Sequence, residues 1–173
     1  DFIVTEEALR AVRNIFTDEV ARKLRSNSVL DGLKDAILTA ISEHQARSQV
    51  VEKGLGALGN VALSLPCHSF QDMSLQQIAD FMEVHASDAK VAEQGVWALG
   101  RLACCARFEV SWELLAVVLS ALKRHQSYMP VVDWGLWALW CLGTHQSMEV
   151  DERRFAIVIA LDSTCRHSVH IRV

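Results

Sequence analysis

An all-α rod of stacked helix pairs is the fold class this sequence predicts, on three observations. A motif recurs at residues 50–62 (VVEKGLGALGNVA), 91–103 (VAEQGVWALGRLA) and 131–143 (VVDWGLWALWCLG), its central glycines Gly54, Gly95 and Gly135 standing 41 and 40 residues apart. Apolar residues within each copy follow helical rather than strand spacing. Strand signals are almost absent.

The elements follow in chain order. A weaker copy, Glu6-Glu-Ala-Leu-Arg-Ala-Val-Arg-Asn-Ile15, places a helix at the start. Ten residues before each central glycine stands a histidine, His44, His85 or His125, preceded by an apolar pair: Ile37 and Ile41, Ile78 and Met82, Val118 and Leu122. Each unit thus holds two helices. The histidine lies on the apolar stripe near the end of the first, where it can bond free carbonyls. Ser74 with Gln77 reads as a capping box for the first helix of the middle unit, and Ser87 and Ser127 as caps for the helices that follow. At about 100° per residue, Val91, Gly95, Val96, Ala98, Leu99, Leu102 and Ala103 share one face, which is the core. Glycine inside a helix costs about 1 kcal/mol against alanine, so its threefold placement there marks a spot where the partner helix comes too close for a side chain. A pair burying one stripe is not stable alone, and neighbouring pairs must stack. The units are a partial one at 1–30, full ones at 31–73, 74–110 and 111–153, and a truncated one at 154–173 that begins near Phe155. Together they form a single domain over 1–173, with about four repeats of ~41 residues.

Composition fits this reading. With 51% hydrophobic residues and only two prolines in 173, the chain is far from the disordered and low-complexity classes. A net charge of −4 gives no general pull toward nucleic acid or acidic membranes. No apolar run approaches the roughly 20 residues a bilayer crossing needs. Because the first residue is Asp1 and no leader pattern follows, the expectation is an excerpt of a longer chain. Five cysteines, an odd number with Cys104 and Cys105 adjacent, sit among apolar helical residues. Reduced thiols in the cytoplasm or nucleus are expected.

The stretch Glu93-Gln-Gly-Val-Trp-Ala-Leu-Gly-Arg-Leu-Ala103 is similar to the third-helix motif of armadillo repeats, with HEAT repeats as close relatives. The likeness covers most of the chain. The lead-in of Ile78, Met82 and His85 resembles armadillo-type arrays of large multidomain proteins, including the leucine-rich-repeat kinases. The resemblance implies a right-handed α-α superhelix whose corresponding helices line a concave groove for an extended peptide. In importin-α, a Trp and an Asn four residues apart form a ladder along that groove. The matching positions here are Arg10 and Asn14, Gly56 and Asn60, Trp97 and Arg101, and Trp137 and Cys141, so no unit keeps the pair. That departure argues against nuclear-signal recognition of the importin type.

Opposite the core stripe the wheel places Lys53, Gly56 and Asn60, then Gln94, Trp97 and Arg101, then Trp134, Trp137 and Cys141, with Glu7, Arg10 and Asn14 in the opening copy. Large aromatics on the polar side of a helix mark interaction surfaces, although covered packing is the plainer reading. The expected groove is therefore Arg10, Asn14, Lys53, Asn60, Gln94, Trp97, Arg101, Trp134 and Trp137. The three histidines read as structural. Cys165, His167 and His170 lack a fourth ligand and match no zinc spacing. Arg22, Lys23 and Arg25, beside Asp18 and Glu19, read as a solvated face.

No phosphate loop, nucleophile elbow or paired carboxylates appear. The expected function is a non-catalytic protein-binding module, with no cofactor and no metal, that takes a protein or extended peptide segment and neither nucleic acid nor membrane. The alternative is a structural spacer or regulatory arm in a larger multidomain signalling protein. A HEAT-like enzyme or nucleic-acid binder would need an acid-base cluster or a positive concave face, and the charge opposes it.

Overall fold

The computed structural model describes residues 1–16, 20, 28–62, 64, 72–105 and 112–143. Among the described residues there are seven helices and no strand: α1 (Phe2–Ile15), α2 (Ser28–Glu43), α3 (Ser48–Ala62), α4 (Asp72–Val84), α5 (Ala89–Cys105), α6 (Trp112–Arg124) and α7 (Met129–Gly143). The copy expected from Phe155 onward, the cluster Arg22, Lys23 and Arg25, and the group Cys165, His167 and His170 lie outside the described residues.

Local chemistry explains where the helices start and turn. Asp1 caps α1, its carboxylate accepting the Ile3 amide at 3.0 Å. The pairs α2–α3, α4–α5 and α6–α7 share one turn, at 44–47, 85–88 and 125–128. In it the histidine carbonyl accepts the amide three residues on, at 2.8, 2.8 and 2.9 Å. This turn delays the next helix by one residue relative to the serine caps expected from sequence. Ser87 and Ser127 fall inside their turns, and the residue before α5 is Asp88, whose Oδ1 accepts Lys90 N at 2.9 Å and Val91 N at 3.4 Å. Likewise α4 begins at Asp72, which puts Ser74 within its first turn instead of ahead of it. The histidines also sit in the turns, just past the helices they were expected to finish.

The second helices pack on one another in succession, α1 on α3, α3 on α5 and α5 on α7, while α2, α4 and α6 each pack on the second helix of their own pair. Contacts fix the direction. Glu93, Gly100 and Cys104 of α5 meet Tyr128, Trp137 and Cys141 in ascending order, so α5 and α7 run parallel. One hydrophobic cluster extends from Leu9 through Ile41, Leu58, Ile78, Leu99 and Leu122 to Leu142. Every member of the predicted α5 stripe is buried.

The central glycines do what their register implies. A Cβ on Gly54 would strike Ile41, one on Gly95 would strike Met82, and one on Gly135 would come 2.6 Å from Leu122 Cδ2. In each pair the apolar residue just ahead of the turn therefore rests on bare backbone of the second helix.

Two substitutions separate this packing role from helix propensity. Gly32 lies in α2, and a Cβ added there would meet nothing within 4 Å, so Gly32→Ala is expected to stabilise the fold by about 0.5–1 kcal/mol. Gly54→Ala offers the same helical gain, yet the stiff, branched Ile41 cannot retreat, and a net loss of about 1–3 kcal/mol is expected. Urea denaturation of both variants measures the difference; equal gains would remove the packing role.

Candidate functional site

The face formed by α1, α3, α5 and α7 carries the residues singled out from sequence, in three groups. On α1, Arg10 and Asn14 are exposed, and Arg10 is ion-paired with Glu7 one turn away. On α3, Lys53 and Asn60 are half-buried: Lys53 Nζ lies 2.8 Å from Glu52 Oε1, and the Asn60 amide donates to the Arg13 carbonyl of α1. Arg13 also approaches Glu52, at 3.8 Å. Between α5 and α7 stand Trp97, Arg101, Trp134 and Trp137.

This third group is a connected aromatic surface. Trp97 and Trp134 meet edge to face with centroids 6.3 Å apart, and Trp134 meets Trp137 the same way at 5.8 Å. Such geometry places the positive ring edge against a negative ring face. The Arg101 guanidinium lies over Trp97, 5.1 Å from its centroid, which adds a cation–π contact. Trp134 is 39% exposed, and Trp97 and Trp137 are half-buried.

Two expectations about this face are corrected. Gln94 is buried: its Oε1 stands against the backbone of Gly56, and its Nε2 donates to Glu93 Oε1 at 3.1 Å, so it is withdrawn from the surface. Trp97 and Trp137 serve the stack as well as the surface, because each ring lies over a glycine of the preceding second helix, Trp97 over Gly59 and Trp137 over Gly100. The helical wheel treats one helix at a time and misses this third neighbour. At the α1–α3 joint the sizes are reversed, with the Arg13 side chain over Gly56. On α7 the position matching Gly59 and Gly100 is Trp140, which is 65% exposed.

Several residues of this region were not found from sequence. Glu52, Glu93 and Asp133 occupy one repeat position, two before each central glycine, a signal that aligning the units makes visible. The Tyr128 hydroxyl donates to Glu93 Oε2 at 3.0 Å, and this bond to a carboxylate, with burial and the charges of Glu93 and Glu52, raises the phenol above its usual 10.0. Cys104 and Cys141 form a disulfide across α5 and α7, with Cα atoms 5.6 Å apart, which corrects the expectation that all thiols are free. Parallel packing brings together two cysteines that a linear reading assigns to separate helices.

Two of the histidines, His85 and His125, act as ties between units. His85 Nε2 bonds the Gln45 carbonyl at 2.6 Å and His125 Nε2 bonds that of Ala86 at 2.9 Å, so each ring is fastened to the turn of the preceding pair. With a carbonyl as partner, Nε2 must carry the proton. Asp88 belongs to the same seam. Burial pushes its carboxyl up, but the Lys90 and Val91 amides, the Ser48 hydroxyl and the charge of His85 together outweigh that and hold it below its ordinary 3.8. Among the described residues no group of three or more His, Cys, Asp or Glu is placed to hold a metal ion. No helix among them is long and apolar enough to cross a membrane.

Two tests follow from this geometry. A carboxyl lowered on folding contributes stability above its unfolded pKa and loses it as pH falls through its folded value. Asp88→Asn should keep most of the cap while removing part of the stability lost below about pH 4. Melting curves across that range check this, and an unchanged acid slope would assign it elsewhere. Trp137→Ala should cost about 2–3 kcal/mol, since it uncovers Gly100, whereas Trp140→Ala should stay within about 0.5 kcal/mol. Equal costs in urea melts would exclude a packing role specific to Trp137.

Comparison with known proteins finds no family model and no curated protein that matches this chain.

Proposed function

We propose that the chain is an armadillo-like solenoid with a right-handed superhelical stack, acting as a non-catalytic protein-binding module in the cytoplasm or nucleus. Its binding surface is the face of α1, α3, α5 and α7, and its ligand an extended segment of another protein. The observation that carries this reading is the aromatic surface at the α5–α7 joint. Trp134 projects between Trp97 and Trp137 and keeps 39% of its surface open to solvent. Arg101 covers part of Trp97 on one side, and the carboxylate of Asp133 is exposed beside Trp134. An indole held by two others loses little conformational freedom on binding, and half-covered aromatics of this kind dominate binding energy at protein interfaces. Arg10, Asn14, Lys53 and Asn60 would supply polar contacts further along the segment.

A spacer role is the second reading, favoured by the coverage of Gly59 and Gly100 by Trp97 and Trp137. Rings used to hold the stack together need no partner to account for them. The two readings divide at Trp134, which lies over neither glycine.

The experiment is to identify proteins retained by the wild-type chain, reduce one to the shortest segment that binds, and titrate that segment against Trp134→Ala. Binding should weaken by about 2 kcal/mol or more while the melting temperature stays near wild type. A segment that binds the variant equally well would leave the spacer reading in place.

A further inference from the structure

We propose that Cys104 and Cys141 form a reversible thiol–disulfide couple that fastens α5 to α7 and responds to low-molecular-weight thiols and disulfides. Three observations carry this. Their Cα atoms are 5.6 Å apart, within the span a disulfide bridges without backbone movement. That separation is set by packing independent of sulfur: one turn earlier on each helix, Trp137 lies over Gly100, so the joint brings the two cysteines opposite each other in the same register. Finally, the two sulfurs differ in access, for Cys104 is exposed whereas Cys141 is 1% exposed.

This difference assigns the order of steps. The Cys104 thiolate, its proton lost to solvent, attacks one sulfur of a small disulfide. The S–S bond of the reagent breaks, one small thiolate leaves and takes up a proton, and Cys104 is left as a mixed disulfide. Cys141, deprotonated in turn, attacks the Cys104 sulfur and expels the second small thiol. Two protein thiols are thereby oxidised, and one small disulfide is reduced to two thiols. Excess small thiol reverses both steps, with attack again starting at the accessible Cys104.

The position of Cys141 shows what the couple controls. Its counterpart in α3 is Asn60, whose amide ties α3 to the Arg13 carbonyl of α1. The same place in the repeat therefore holds a hydrogen-bonded tie at one joint and an oxidisable one at another. Trp97 lies on α5 and Trp134 and Trp137 on α7, so the cross-link joins the two helices that carry the aromatic surface. The couple stands without the protein-binding reading; only an effect on a bound partner would rest on it.

The test uses the full chain, equilibrated in buffers of reduced and oxidised glutathione, trapped with acid and N-ethylmaleimide, and mapped by peptide mass spectrometry. The expected result is a reversible transition in which Cys104–Cys141 is the dominant cross-link. The oxidised form should melt roughly 10 °C above the reduced form, because closing the loop restricts the unfolded chain. Cys104→Ser should abolish the cross-link and melt like the reduced wild type. Cys141→Ala should abolish it too and melt alike in reduced and oxidised buffer, with alanine chosen because a hydroxyl at that buried site could itself unfold the helix pair. A dominant cross-link through Cys105 or another cysteine, a bond that glutathione cannot reduce in the folded chain, or identical melting of the two forms would each overturn the proposal.

Discussion

One helix can approach another closely only where its backbone carries no side chain, and this constraint orders the molecule in two directions. Within a pair, Gly54, Gly95 and Gly135 receive Ile41, Met82 and Leu122, which sets the spacing of the two helices ahead of the histidine turn. Between pairs, Gly59 and Gly100 receive the indoles of the following second helix. Among the described residues, one hydrophobic cluster includes Ile41, Met82 and Leu122, with Trp137 packed against it. Polar ties add to this arrangement: His85 and His125 bond carbonyls of the preceding turn, and Asn60 bonds the Arg13 carbonyl.

Much of the fold was legible in the sequence. Periodicity and the spacing of the central glycines located the helix pairs, and the meaning of those glycines could be read because each has its apolar partner a fixed distance before it. The α5 stripe was readable for the same reason, being a property of one helix. Helix starts were less so. Serine is a good cap, but the histidine carbonyl closes the turn one residue past Ser87, and Asp88 takes the position instead. Its carboxylate accepts two backbone amides there and gains from the charge of His85.

The candidate site was only partly legible, because its residues answer to neighbours two helices away. A wheel assigns Gln94 to the outside, but α3 lies against it and its carbonyl oxygen abuts Gly56. The same wheel sets Trp97 and Trp137 opposite the core and misses the glycines beneath them. Cys104 and Cys141 belong to different copies of the motif, and nothing in either copy announces the other. Aligning the units offers more: it puts Glu52, Glu93 and Asp133 in one row. It also shows Asn60 and Cys141 to be equivalent positions with different means of holding the neighbouring helix.

Trp140 has an implication for how such a chain can lengthen. Repeat arrays grow by tandem duplication, and a new copy joins well when its leading surface matches the trailing surface of the copy before it. A duplicate of the α6–α7 pair, inserted directly after it, would bring the counterpart of Trp137 down on Trp140 instead of on a glycine. Duplication of the pair ending in α5 meets no such obstacle, since Gly100 is able to receive whichever indole follows. Of the two pairs, the earlier is the one whose copying preserves the joint, and the later could be copied in place only after residue 140 had become small.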